Sequence, residues 1–282
     1  MIRNKNISTF IACDHEYDES DIVIYGAPFD GTTSYRPGTR FASAAIRNES
    51  YGLETYSPYL DKDLSDRKIY DAGDMFFGYG NTDRALDTIY QWTSEFLNDG
   101  KTPLMIGGEH LVTLGSVRAT FEKYPDLHII HFDAHADLAD KLFGERLSHG
   151  SVLRRCWDLL GDGKIFQFGI RSGSRDEFHW AKDHVYMQKF NFDGLSTTVE
   201  QLKDKPVYLT IDLDVLDPSV FPGTGTPEAG GVTFTELLDA LNKVFTLNVV
   251  AVDMNELSPV YDQSGASTAL GCKLLRELLL QI

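Results

Sequence analysis

Asp133, His135 and Asp137 stand at alternate positions in the segment 131–137, His-Phe-Asp-Ala-His-Ala-Asp, directly behind the apolar run Leu127-His128-Ile129-Ile130. Two carboxylates and an imidazole are metal-type ligands. In an extended backbone a spacing of two puts them on one face, while Ala134 and Ala136 pack the other way. A solvated turn after a strand would also be rich in Asp, but two further clusters weigh against that reading. Asp212 and Asp214 follow the run Val207-Tyr208-Leu209, and Gly107-Gly108-Glu109-His110 follows Pro103-Leu104-Met105-Ile106. Three such clusters behind three strand-like runs are hard to explain as unrelated turns.

Four carboxylates and two imidazoles are too many for one ion with an open position. They suit two divalent ions bridged by shared carboxylates. Oxygen-rich ligation without cysteine favours Mn²⁺ over a structural zinc. Two such ions about 3.5–4 Å apart can hold a bridging hydroxide at neutral pH, which is a nucleophile. Two dications against four carboxylates and a hydroxide leave about one net negative charge, and Glu256 would add another. A phosphate ester would meet that site unfavourably, and no P-loop or basic cluster offsets it. A cationic, planar electrophile fits better.

The elements that must position these residues alternate. Ile22 to Tyr25 reads as a strand buried on both faces, followed by a Gly-, Thr- and Pro-rich loop from Asp30 to Arg40 and a helix from Ser43. Arg36, Arg40 and Arg47 in this region read as structural ion-pair partners. Strands are expected at 68–70, 104–106, 127–132, 165–170, near Val185, at 207–213 and at 249–252. Helices are expected from a Thr82 cap onward, at 111–124, at 151–160, after the capping box Thr233-Phe234-Thr235-Glu236, and at 269–280. Such alternation implies a mainly parallel sheet with helices on both faces, and ligands bind beyond the carboxyl ends of its strands. His110, Asp133, His135, Asp137, Asp212, Asp214 and Glu256 all fall there.

Composition bounds the rest. The chain has 282 residues, 42% hydrophobic and 24% charged, which suits one domain over 1–282 with a sizeable core. The net charge of -16, from 26 basic and 42 acidic side chains, makes nucleic acid and anionic membranes poor partners. Cys13, Cys156 and Cys272 are scattered and odd in number, so no disulfide framework is indicated and a reducing cytoplasm fits. The N-terminal twenty residues carry no export-type apolar region, and no run approaches the roughly 20 residues of a membrane span.

Several ordered segments together resemble the signatures of the ureohydrolase family of arginases and agmatinases: Gly107 to His110, Asp133 to Asp137, Ser148-His149-Gly150, Asp212 to Asp214 with Asp217-Pro218, Pro222 to Glu228, and Asn255 to Pro259. The early 38–40 and 44–47 segments extend the resemblance over nearly the whole chain, closest to agmatinase. It implies a three-layer αβα sandwich, a centre of two Mn²⁺, and hydrolysis of a guanidinium group to urea and an amine. One ion would be held by His110, Asp133, Asp137 and Asp212, the other by Asp133, His135, Asp212 and Asp214. Asp137 would also orient the bridging hydroxide, His149 would shuttle a proton and Glu256 would pair with the guanidinium. The family implies a homotrimer or homohexamer. His128 and His131 match no ligand position and read as packed or supporting residues, while His15, His179 and His184 stay unassigned.

The pattern departs from arginase in the loop 138–147, Leu-Ala-Asp-Lys-Leu-Phe-Gly-Glu-Arg-Leu, which lacks the Asn and Ser that receive an α-amino acid, and Ser172-Gly173-Ser174 replaces a further Asp. Agmatine is therefore the expected substrate, giving putrescine, with Asp140 or Glu145 as candidate acceptors of its distal ammonium. Lys141 and Arg146 keep a guanidino acid such as guanidinobutyrate in play, and a non-catalytic metal-binding member of the fold is the remaining alternative.

Overall fold

In the computed structural model the described residues are 8–78 and 80–282, so the first part of the N-terminal reading lies outside them. The continuous apolar runs become strands because a β residue buried on both faces needs no polar alternation. In chain order the strands are β1 (Ile22–Gly26), β2 (Tyr56–Ser57), β3 (Lys62–Asp63), β4 (Ile69–Asp74), β5 (Thr102–Ile106), β6 (His128–Phe132), β7 (Ile165–Ile170), β8 (Tyr186–Lys189), β9 (Pro206–Asp212) and β10 (Asn248–Asn255). β2 and β3 form a small antiparallel ribbon; the other eight form one parallel sheet in the order β4-β1-β5-β10-β9-β6-β7-β8.

The helices are α1 (Ala42–Glu49), α2 (Thr82–Asn98), α3 (Val112–Lys123), α4 (Val152–Leu160), α5 (Arg175–His184), α6 (Leu195–Gln201), α7 (Phe234–Val244) and α8 (Ala266–Gln281). Ile24, Leu104, Phe132, Phe168, Ile211 and Met254 pack from one sheet face against Ile46 of α1, Leu237 of α7 and Leu275 of α8. From the other face Ile129, Tyr208 and Ala251 meet Leu114 of α3 and Leu153 of α4, and Tyr25 and Met105 meet Phe96 of α2. The result is the expected three-layer αβα sandwich. No helix among the described residues is long and apolar enough to cross a membrane.

Three local expectations change. Asn81, not Thr82, caps α2, its side chain accepting from Arg84 N at 2.9 Å. α5 and α6 were not legible, because α5 carries charges on most of its surface and α6 is only seven residues long. Of the three arginines, Arg40 pairs with Asp30 at 2.7 Å and Arg47 is buried against Asp71 and Asp74, as expected, whereas Arg36 stacks on the rings of Tyr35 and Tyr261 instead.

Candidate metal centre

The carboxyl ends of the four adjacent central strands β5, β10, β9 and β6, with the segments that follow them, supply the six candidate ligands and Glu256. The ligands do not converge by strand alternation. β6 ends at Phe132, so Asp133 to Asp137 lie in the loop beyond it, and β9 ends at Asp212, after which Leu213–Val215 is a 3-10 turn. Asp137 adopts φ 51° and Glu256 φ 66°, left-handed conformations that cost a non-glycine residue of order 1–3 kcal/mol and recur at functional sites. Each is held in place. The Asp137 carbonyl accepts from Leu153 N and Arg154 N, and the next amide, Leu138 N, donates to Glu177 Oε1 at 3.0 Å. Glu256 N donates to Gly108 O at 2.9 Å, and Glu256 Oε1 accepts His110 N at 2.8 Å. This crossing needs close backbone approach: a Cβ at Gly108 would lie 1.9 Å from Phe29 O, and one at Gly107 would lie 1.7 Å from Asn255 Oδ1.

Two groups of ligand atoms result. His110 Nδ1 lies 3.1 Å from Asp133 Oδ2, 3.1 Å from Asp137 Oδ2 and 3.4 Å from Asp212 Oδ2. His135 Nδ1 lies 3.0 Å from Asp214 Oδ2 and 3.6 Å from Asp133 Oδ1. Asp133 thus turns one oxygen to each group. Asp212 faces the His110 group with Oδ2, while its Oδ1 accepts Asp214 N at 2.9 Å and caps the turn. His110, Asp133 and Asp214 are almost wholly excluded from solvent, and His135 keeps a partly open edge.

The donor set fits a pair of cations. His110 Nε2 is engaged by Thr210 Oγ1 at 2.9 Å, which leaves Nδ1 toward the carboxylates; Nδ1 and Asp214 Oδ2 are buried yet make no hydrogen bond. The short separations around Nδ1 therefore lack hydrogen-bond geometry. Ligand atoms about 2.1 Å from an octahedral ion lie about 3 Å from one another, which matches these separations. The charges point the same way. Burial, with Asp133 next to it, pushes the Asp137 carboxyl up to about 7; burial, Asp214 and Asp133 raise Asp212 well above the usual carboxylate range. Burial alone would lower the His110 imidazole, but Asp133, Asp137 and Asp212 outweigh it and raise it well above its ordinary value. A bound dication would relieve this crowding of carboxylates.

His149 is half-buried at the rim. Its Nε2 meets Ser34 Oγ at 2.9 Å, its N donates to Thr32 Oγ1 at 3.0 Å, and Thr32 Oγ1 donates to buried Glu109 Oε1 at 2.6 Å. Burial, then the nearby His135 and His110, push the His149 imidazole down to about 4, so it is neutral at pH 7. Glu256 is buried and raised well above the usual range by desolvation, Glu109 and Asp214.

In the loop beyond Asp137, Asp140 is tied to Arg155 at 3.0 Å and Arg146 to Asp158 at 2.9 Å. Both are thereby weakened as substrate contacts. Lys141, Glu145 and Arg146 line a cavity of about 820 Å³ together with Thr32, Asp83 and Ser148, and of the three only Arg146 carries an ion pair among the described residues. The sequence reading missed Glu109, Thr210 and Gln167 as supports of the site and gave His131 little weight; their signal was position alone, on or next to the strands that carry ligands.

Residues 20–281 match the arginase family. The agmatinase of Bacillus anthracis is 49% identical over 276 residues, covering 96% of this chain and 95% of that protein. The guanidinobutyrase of Pseudomonas aeruginosa is 34% identical over 297 residues, covering 99% and 93%. The crystal structure of the agmatine ureohydrolase of Thermoplasma volcanium superposes with a TM-score of 0.88 at 34% identity, covering 98% of this chain and 94% of that one.

Proposed function

The chain belongs to the arginase family, and from that premise we propose that it hydrolyses agmatine to putrescine and urea at a centre of two Mn²⁺, in one ureohydrolase domain over 1–282. The observation that carries this reading is the pair of ligand groups sharing Asp133, with the orphaned Nδ1 of His110 in one and the orphaned Oδ2 of Asp214 in the other. His110, Asp133, Asp137 and Asp212 would hold one ion; Asp133, His135, Asp214 and, less directly, Asp212 would hold the other. When bound, such a pair supplies a water of lowered pKa and positive charge to offset the negative charge that develops on attack.

The chain's own residues do the rest. Asp137, held in its left-handed conformation, aims a carboxylate oxygen at the attacking water. Glu256 accepts N–H bonds from the guanidinium, whose charge stabilises a carboxylate that burial otherwise disfavours. Neutral His149 takes a proton and delivers it to the leaving amine. The free, buried Cys13, Cys156 and Cys272 suit a reducing cytoplasm. The working assembly in this reading is a homotrimer or homohexamer, which light scattering at micromolar concentration tests.

A guanidino acid is the second reading, favoured by one observation: Lys141 lines the cavity beside the site with no ion pair among the described residues. Urea release on agmatine, arginine and 4-guanidinobutyrate by Mn²⁺-loaded protein separates these readings. Agmatine should lead in kcat/KM; a lead by 4-guanidinobutyrate would transfer the tail contact to Lys141. A content of one ion per chain in fully loaded protein would overturn the two-ion centre.

A further inference from the structure

Directly below the ligands runs a second polar row. Asp253 of β10 is in register with Thr210 of β9, Thr210 with His131 of β6, and His131 with Gln167 of β7. All four are fully buried. Two residues further along β10 and β9, on the same face, come Asn255 and Asp212, and Asp133 lies just beyond the end of β6. A parallel sheet between two helical layers normally fills such a row with apolar side chains, and a buried polar group left unpaired costs about 1–3 kcal/mol. Within this row Gln167 Oε1 bears that cost.

Its bonds read in one direction. Gln167 Nε2 donates to Ala136 O at 2.7 Å, and that carbonyl can only accept, so the amide orientation is fixed. The same NH₂ meets His131 Nδ1 at 3.0 Å, which makes Nδ1 an acceptor and leaves the ring proton on Nε2. His131 Nε2 then donates to Asp133 Oδ2 at 2.7 Å. Gln167 keeps this orientation although its Oε1 is buried without a partner. Both nitrogens of His131 are thus committed. A ligand role for His131, which its closeness to His110 and Asp133 would allow, would need a proton on Nδ1 facing the Gln167 donors.

We propose that Gln167 and His131 are positioning residues: Gln167 sets the His131 tautomer, and His131 holds the shared carboxylate of Asp133 in the rotamer that faces both groups of ligand atoms. The inference rests on the two-ion reading, since a shared carboxylate has two directions to satisfy at once. Outer hydrogen-bond partners of this kind typically change metal affinity about 10–100-fold.

The test is Mn²⁺ titration by calorimetry on full-length protein, with the thermal melt of the metal-free protein beside it. Wild type binding two ions supports the underlying reading, and one ion would overturn that reading. His131→Phe should weaken Mn²⁺ binding by at least about tenfold, while His131→Gln, which can still present an N–H to Asp133, should stay within a few fold of wild type. Gln167→Leu should lose affinity, and the double variant should lose less than the sum of the two single losses, because part of the Gln167 effect passes through His131 and part through its bond to Ala136 O. Wild-type affinity in His131→Phe, failure of His131→Gln to rescue, or additive losses in the double variant would each overturn the proposal. A purely structural role would lower the metal-free melt equally in His131→Phe and His131→Gln and would not separate their affinities.

Discussion

The carboxyl ends of the four central strands and the loop from Leu138 to Leu147, which directly follows the segment beyond β6, are opposite in character. At the strand ends Asp133, Asp214 and Glu256 are buried, and each is locked to backbone or to a neighbouring side chain. In the loop Lys141, Phe143, Gly144, Glu145 and Arg146 are exposed, and Phe143 is 86% accessible. The difference separates what must be held from what can vary. Reaction geometry needs fixed atoms in a dry site, so it sits on sheet ends; recognition of a flexible tail tolerates a loop.

The sharpest way to break this comparison is Asp133→Ala. Its loss removes a ligand from both groups, so activity should fall by more than the about 10²–10⁴-fold of a lost proton-transfer group, and by more than in His135→Ala. Equal activity losses and equal retained Mn²⁺ in the two variants, measured by metal analysis and urea release, would contradict a shared carboxylate.

Next in size is His149→Phe, expected to lower kcat by about 10²–10⁴-fold with little change in bound metal. The sign of its pH effect follows from the depressed pKa. A histidine at about 4 is neutral throughout pH 6–9, so it cannot set an acid limb near pH 6–7. A wild-type kcat profile with a limb there that vanishes in His149→Phe would show that the ring titrates higher.

The loop should respond more gently and selectively. Glu145→Ala should lower kcat/KM for agmatine by about tenfold, the equivalent of roughly 1.4 kcal/mol, and leave metal content unchanged. Lys141→Ala should leave agmatine turnover almost unaltered. If Lys141→Ala instead abolishes turnover of 4-guanidinobutyrate by an enzyme that prefers it, the tail contact is the lysine.

Smallest at the site, and largest on stability alone, is a change remote from both regions. Thr233→Ala removes the N-cap of α7, where Thr233 Oγ1 accepts Glu236 N and the Glu236 carboxylate returns to Thr233 N. It should cost about 1 kcal/mol of stability in a denaturant melt and leave kcat unchanged. An effect on kcat would mean that the helical layer and the site are coupled more tightly than the comparison holds.

The sequence by itself determined the layer architecture, because buried parallel strands and amphipathic helices each write a period that needs no partner to be read. It also offered a candidate ligand set, since carboxylates and imidazoles clustered behind apolar runs have few other uses. Only the tertiary structure decided how those ligands converge. The spacing of two in Asp133, His135 and Asp137 suggested an extended strand, but β6 stops at Phe132 and the convergence depends on a left-handed Asp137 pinned by α4 and Glu177. Nor could periodicity show that Asp140 and Arg146 are spent on Arg155 and Asp158, or that Gln167 stands in register with His131. Those facts come from strand order and loop packing, which bring together residues 12 to 146 positions apart in the chain. Local pattern encodes what each segment can become; which side chains share one small volume is a property of the closed chain.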